Sequence, residues 1–390
     1  MSKSGRLLAS LLVGLGLSST AQAADPIKIG VIASYSGPYA DYGRQFDMGM
    51  DIYLKEHDGK IGGHPVEIIR RDAPGAAPDV AKRMAQELVV KEKVNFFAGL
   101  DFSPNAYAVG AIATQAKIPT IVMNASSSGI PTKSPYVARV SFTVEQVSAP
   151  MAKWAFNQGI KSVYLIAADY GPGHSAESAF EKAFTAAGGT IVGKVRTPMS
   201  NPDFSAYIQR VKDEKPEAVF FFFPSGVLPP AFLKTWKERG LDEDGIKLIA
   251  TGEATDDSYL EATGDVALGL ITSHHYSRAH DSALNKAFVK ATKGYYNGEL
   301  AAGYFSVAAY DGLAALDMAL QKTGGDIDPD KVMEALKGLK FESPRGPIEI
   351  DAETRDIIQT VYIRKVERVD GELVNVEFDK FDAVKDPGKE

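Results

Sequence analysis

Short, nearly continuous apolar runs recur along the chain: IKIGVIAS from Ile27, then PVEIIRRDA, NFFAGL, PTIVMN, SVYLIAAD, TIVGKVRT, AVFFFF, KLIATG and LGLITS. Between most of them lie amphipathic helical segments, at Val80–Lys91, Ser175–Ala187, Phe204–Glu214 and Pro230–Arg239. Apolar strands that alternate with helices indicate parallel sheets covered on both faces, so the predicted class is α/β. The alternation pauses at Pro131–Pro135 and YVARVSFT and restarts at Ser162, which divides the sheets near residue 145. Later the pattern changes to successive helices at Ser282–Tyr296, Ala301–Lys322 and Asp330–Leu339, followed by strand-like GPIEID and a hairpin in TVYIRKVERVDGELVNVEF. That tail is too poor in parallel strands for a third domain and is expected to cap the first two.

The first residues change the picture. Lys3 and Arg6, the apolar Leu7–Leu17 and the small-residue site Ala21-Gln22-Ala23 read as a secretion signal over residues 1–23, with a mature chain from Ala24. Its apolar run is shorter than the roughly 20 residues of a spanning helix. The chain holds no cysteine, which excludes disulfides, a thiolate metal site and a lipid anchor at the cleavage point. A free periplasmic protein is the simplest expectation. Losing Lys3 and Arg6 moves the formal charge from −7 to −9, a mildly acidic balance that disfavours nucleic acid or anionic lipid as the main partner. At 390 residues, two domains are expected.

Directly behind the signal, IKIGVIASYSGPYADYG runs from an apolar strand through a Ser/Gly/Pro turn into a helix, which gathers N–H groups and hydroxyls at a strand's carboxyl end. Gly171-Pro172-Gly173-His174-Ser175-Ala176 fits the spacing of a dinucleotide fingerprint, but Pro172 removes a turn N–H and the next strand ends without the acidic ribose partner. A tight turn at a helix start is the preferred reading. His274 and His275 are adjacent on an expected strand and would point to opposite faces, unable to share a metal. Glu253, Asp256 and Asp257 are too sparse for a calcium loop. No nucleophile elbow, zinc-protease or phosphate-loop motif occurs, so no enzymatic role, cofactor or metal is expected. Phe220–Phe223 reads as a strand buried on both faces, with the last ring near a ligand-binding edge.

The mature chain resembles, over nearly its whole length, the periplasmic solute-binding proteins of the Leu/Ile/Val-binding type that serve ABC importers. The resemblance rests on SGPYADYG at 36–43, AGLDFS at 98–103, MNASSS at 123–128, DYGPGHSA at 169–176, ATGE at 250–253 and AAYDGLAAL at 308–316, in the family's order. It implies two doubly wound parallel-sheet lobes joined by three crossovers, residues 24–145 with 277–358 and 146–276 with 359–390. It also implies a ligand captured as the lobes close, a permease and ATPase subunits as separate partner chains, and a monomer.

The resemblance further places the ligand carboxylate at Ser103 and at Ser127, within the Ala125-Ser126-Ser127 turn, together with helix N-terminal amides. The family's ammonium partners match the carbonyl of Ala125 and the carboxylate of Glu253, and Tyr42 and Tyr170 match aromatic positions lining the cleft. The family's Gly-Gly-Tyr is replaced here by Phe222-Phe223-Pro224-Ser225, an aromatic and apolar wall. Phe102, Phe142, Tyr170, Phe223 and Tyr276 offer more ring surface than a leucine side chain requires, and several stretches look like the branch that takes up aromatic acids. Glu253 would then accept a hydrogen bond from a phenol. The expected ligand is a small hydrophobic carboxylate, an aromatic acid before a branched-chain or aromatic amino acid, and a secreted NAD-dependent oxidoreductase is the distant alternative.

Overall fold

The apolar runs fold into two sheets that share no strand. The computed structural model describes residues 25–200 and 202–389, so the signal at 1–23 lies outside the described residues. In the first lobe β1 (Ile27–Ala33), β3 (His64–Asp72), β4 (Phe96–Gly99), β5 (Thr120–Val122) and β6 (Val137–Arg139) are parallel, and the short β2 (Lys60–Ile61) lies antiparallel at the edge; the order is β2-β3-β1-β4-β5-β6. Helices α1 (Ala40–Glu56), α2 (Pro78–Glu87) and α3 (Ser103–Ala116) connect them. Every residue of β4 and β5 is buried, the expected state of a strand covered on both faces.

The chain crosses into the second lobe at α4 (Val144–Asn157), whose start is fixed by a capping box between Thr143 and Gln146. There β7 (Ser162–Ala168), β8 (Thr190–Thr197), β9 (Ala218–Phe222), β10 (Lys247–Thr251) and β11 (Ile271–His274) run parallel, linked by α5 (Gly171–Ala186), α6 (Phe204–Glu214), α7 (Leu228–Glu238) and the single-turn α8 (Leu260–Thr263). Gly173 is required at the start of α5, because a Cβ there would lie 1.9 Å from the carbonyl oxygen of Ala168. Gly173 of the fingerprint-like turn therefore lets α5 pack against β7.

The chain then returns. Helices α9 (Ala283–Thr292), α10 (Tyr304–Lys322) and α11 (Pro329–Leu336) pack on the first core, with α10 along α1. A hairpin of β12 (Lys340–Ser343) and β13 (Gly346–Ile350) follows, then a third crossing into β14 (Ile357–Val369) and β15 (Glu372–Val384). The second sheet has the order β12-β13-β14-β11-β10-β9-β7-β8, with β15 on β14. The segment 340–350 differs from the expected division at this point: its backbone bonds into the second sheet, while Leu339, Phe341 and Ile350 pack on the first core. Such a hairpin ties both lobes at the hinge, so no single residue number separates them there. Among the described residues no helix is long and apolar enough to cross a membrane.

Candidate functional site

The carboxyl ends of both sheets face a closed cleft lined by Tyr42, Asp101, Phe102, Ser103, Asn124, Ser126, Phe142, Tyr170, Pro172, Phe222, Pro224, Ser225, Glu253 and Tyr304. The enclosed cavity is small, about 20 Å³, far below the roughly 300–1,000 Å³ typical of small-molecule sites, so the cleft has to widen to hold a ligand. A larger and shallower groove at the opposite end of the second lobe, beside Trp154, Trp236, Leu248 and Phe378, lies away from the carboxyl ends of the strands.

Two helices begin at the cleft, one from each lobe. Phe102 precedes α3 and Tyr170 precedes α5, and neither side chain caps its helix, so no side chain at either N-cap claims the first-turn amides. Uncapped helix starts attract an anion. The loop after β4 is held by buried Asp101, which accepts from the backbone N–H of Ser34 at 2.8 Å and of Phe102 at 3.0 Å. Burial pushes its carboxyl up to about 6, and these N–H donors oppose that rise.

The Ser126–Ser128 turn is shaped by a residue the sequence reading did not single out. Arg139, fully buried at the end of β6, donates to the carbonyls of Ala125 at 2.8 Å, Ser127 at 2.9 Å and Ser128 at 3.4 Å. Its other face makes a bidentate pair with Asp356, at 2.7 and 2.6 Å. Burial pushes the Asp356 carboxyl up, but Arg139 and Lys389 outweigh it and hold the group below its ordinary value. The only sequence signal for this anchor was a lone arginine in the apolar stretch YVARVSFT.

Of the expected residues, the cleft brings together Tyr42, Phe102, Ser103, Ser126, Tyr170, Ser225 and Glu253. Three lie elsewhere. The Ala125 carbonyl accepts from the Arg139 guanidinium, and Ala125 is not part of the cavity lining, so it is not placed as the acceptor expected for an ammonium. Ser127 does not line the cavity; its N–H donates to the Ser103 hydroxyl oxygen at 3.1 Å and its own hydroxyl faces Gly171 across the lobes. Phe223 is buried in the second core between Phe204, Phe221 and Phe232, at centroid distances of 5.2, 5.5 and 5.3 Å. Strand alternation explains the last correction: Phe221 and Phe223 share one face, so Phe222 turns to the cleft and stacks with Tyr170 at 6.1 Å and 24°. Tyr276, also expected near the cleft, is buried in the first core and donates to Asn285 at 3.1 Å.

Tyr304 was missed because it arrives from the start of α10, far along the chain. The Ser225 and Tyr304 hydroxyls lie 2.9 Å apart, and the Tyr42 hydroxyl donates to the Ser225 carbonyl at 2.7 Å, so Ser225 clasps the two lobes. Gln45 donates to Ser258 at 3.0 Å on the same seam. Glu253 is 4 % exposed, and burial pushes its carboxyl up to about 7. The neighbouring histidines, expected on opposite faces, lie with ring centroids 4.3 Å apart, because β11 ends at His274 and alternation does not carry to His275.

Comparison with known proteins agrees with this architecture. Residues 26–372 match the model of a family described as periplasmic binding protein. The chain is 44% identical over 384 residues to Leu/Ile/Val-binding protein homolog 6 of Brucella melitensis biotype 1, covering 98% of each chain. It is also similar to a solute binding protein of an ABC transporter from Rhodopseudomonas palustris BisB5 in complex with 3,4-dihydroxy benzoic acid (49% identity, TM-score 0.89, 94% of this chain and 99% of that one). A second solute binding protein from R. palustris, in complex with 4-hydroxybenzoate, is 44% identical with a TM-score of 0.90, covering 93% of this chain and 99% of that one. With two parallel-sheet lobes around a closed cleft and a match over most of its length, the chain belongs to the periplasmic binding protein family.

Proposed function

We propose that this protein is the periplasmic receptor of an ABC importer, that it captures a small aromatic carboxylate between two closing lobes, and that it catalyses no reaction. The observation that carries this reading is the pairing of an aromatic wall, Phe102, Phe142, Tyr170, Phe222 and Tyr304, with Ser103 and Ser126 beside two uncapped helix starts. The aromatic acids held by the two R. palustris proteins support it. The carboxylate sits at the serines, and the ring lies between Tyr170 and Phe102. Ligand entry needs the lobes to part, because Tyr42 and Gln45 bridge them. Binding then shifts the population toward the closed form, which the separate permease and ATPase chains read.

The chain is exported with the signal at 1–23 removed, carries no lipid and acts as a monomer. The moving bodies are residues 24–145 with 277–358 and 146–276 with 359–390, the hairpin at 340–350 riding on the hinge. Ser103→Ala and Ser126→Ala are each expected to weaken binding by about 1–3 kcal/mol, since each removes a hydroxyl from a buried carboxylate. Calorimetry on the folded variants checks this, and an unchanged dissociation constant removes that serine from the site.

The amino-acid reading keeps one specific support, the buried carboxylate of Glu253, along with the name of the Brucella relative. The place of Ala125 outside the cavity lining counts against it. A pH series separates the two. Burial raises Glu253 from its ordinary 4.5 to about 7 in this closed form; on the reading that parting the lobes returns it to water, the closed form binds an extra proton between those values. Closing is therefore favoured as pH falls toward 4.5, and that contribution is lost as pH rises through 7. An ammonium ligand needs Glu253 ionised and loses affinity below pH 7, whereas a phenol accepts either protonation state of the carboxyl. Affinity for 4-hydroxybenzoate is expected to hold or rise from pH 8 to pH 5.5. A steep fall over that range favours the amino-acid reading.

A further inference from the structure

The buried polar atoms at the cavity with no hydrogen-bond partner within the described protein include Asn124 Oδ1 on its lining and, gathered at one end, Glu253 Oε2, both ring nitrogens of His274 and both of His275. Both histidines are fully buried. The His274 ring lies 4.6 Å from that of Tyr304 and 5.1 Å from that of Phe142, both of which line the cavity. His275 stacks on Phe142 at 4.9 Å and 23°. His274 Nε2 is 3.9 Å from Glu253 Oε2, too far for a hydrogen bond. An oxygen within hydrogen-bond distance of both would bridge them; Glu253 lines the cavity, and His274 packs directly against its lining residues Phe142 and Tyr304.

The bland reading makes the histidine pair core filling. It leaves the imidazole nitrogens short of partners, with only a weak backbone contact from Tyr276 to His274, in a protein interior where buried polar groups are almost always paired. Burial, then the charge of Arg364 and Arg345, keeps His274 neutral, and burial followed by His274 does the same for His275. A neutral imidazole offers one donor and one acceptor. Beside a carboxylate, that set matches a hydroxyl, which donates one proton and accepts another.

We propose that Glu253 and His274, backed by His275, form a hydroxyl-recognition subsite, and that the receptor selects aromatic acids carrying a ring hydroxyl opposite the carboxylate. This rests on the aromatic-acid reading of the cleft. The ring hydroxyl donates to Glu253 Oε2 and accepts from His274 Nε2–H, while the carboxylate stays at the Ser103 and Ser126 end. An acid without the hydroxyl leaves both groups buried and unpaired, and sites built in this way reject such analogues strongly.

The test compares 4-hydroxybenzoate with benzoate by calorimetry on the full chain, as wild type, His274→Phe and His274→Gln, with melting curves to establish folding. The wild type is expected to prefer 4-hydroxybenzoate by about a hundredfold or more. His274→Phe, similar in shape but without polar atoms, should bring that ratio within about tenfold, and His274→Gln, which keeps a donor, should restore part of it. If His274→Phe will not fold, Glu253→Ala, read by the same ratio, takes its place. A wild-type ratio near one, or variants that weaken both acids equally, overturns the subsite and leaves the aromatic-acid reading standing. Wild type that binds neither acid overturns the aromatic-acid reading itself.

Discussion

Replacing Arg139 by Met is expected to lower stability by about 3–5 kcal/mol and to blunt ligand binding by whatever protein still folds. The guanidinium is fully buried, paired with a carboxylate that is 2 % exposed in its side chain, and spans three carbonyls of the Ala125–Ser128 turn. Removing it leaves Asp356 with Lys389 as its remaining cation and frees the turn that carries Ser126. The same cluster reaches the chain's end: Lys389 pairs with Asp386 at 3.0 Å, and Asp386 accepts from Thr143 at 3.0 Å and from Ser128. Urea unfolding measures the first effect. Adding Asp356→Leu to Arg139→Met should recover part of the loss, because the unpaired buried carboxylate is what makes the single change costly. An unchanged midpoint for Arg139→Met contradicts this account of the hinge.

Phe223→Ala is the second large effect. It should cost about 3–5 kcal/mol through a cavity among Phe204, Phe221 and Phe232. Ligand affinity of the folded fraction should stay within a few-fold. Phe222→Leu should do the reverse: a smaller stability loss and a weaker complex, because the ring stacked on Tyr170 is replaced by a branched aliphatic. The stacking itself is worth roughly 0.5–1.5 kcal/mol. Parallel denaturation and titration of both variants decides it. Loss of affinity for Phe223→Ala alone would mean that the wall of the cleft has been assigned to the wrong face of β9.

The same pair shows where the sequence could be read and where it could not. The α/β class was legible because each apolar run is short, continuous and followed by a helical period, and the change near residue 145 coincides with α4. Seven of ten expected site residues converge for a related reason: they sit at strand ends and helix starts, which local patterns mark well. The direction of a side chain at a strand's last residue depends on register against neighbouring strands, so Phe222 and Phe223 were exchanged. The Ala125 carbonyl is aimed by an arginine fourteen residues later, and Tyr304 is delivered by a second crossing of the chain. Neither contact leaves a local trace. His274 and His275 escaped because strand alternation was applied one residue past the strand's end.

Calorimetric titration tests the central claim most directly. Protein freed of any bound ligand by unfolding and refolding is titrated with leucine, isoleucine, valine, phenylalanine, benzoate, 4-hydroxybenzoate and 4-coumarate. The account predicts tight binding of at least one aromatic acid and none of the aliphatic amino acids. Tight binding of leucine, isoleucine or valine with no aromatic acid bound would contradict it and return Glu253 to an ammonium.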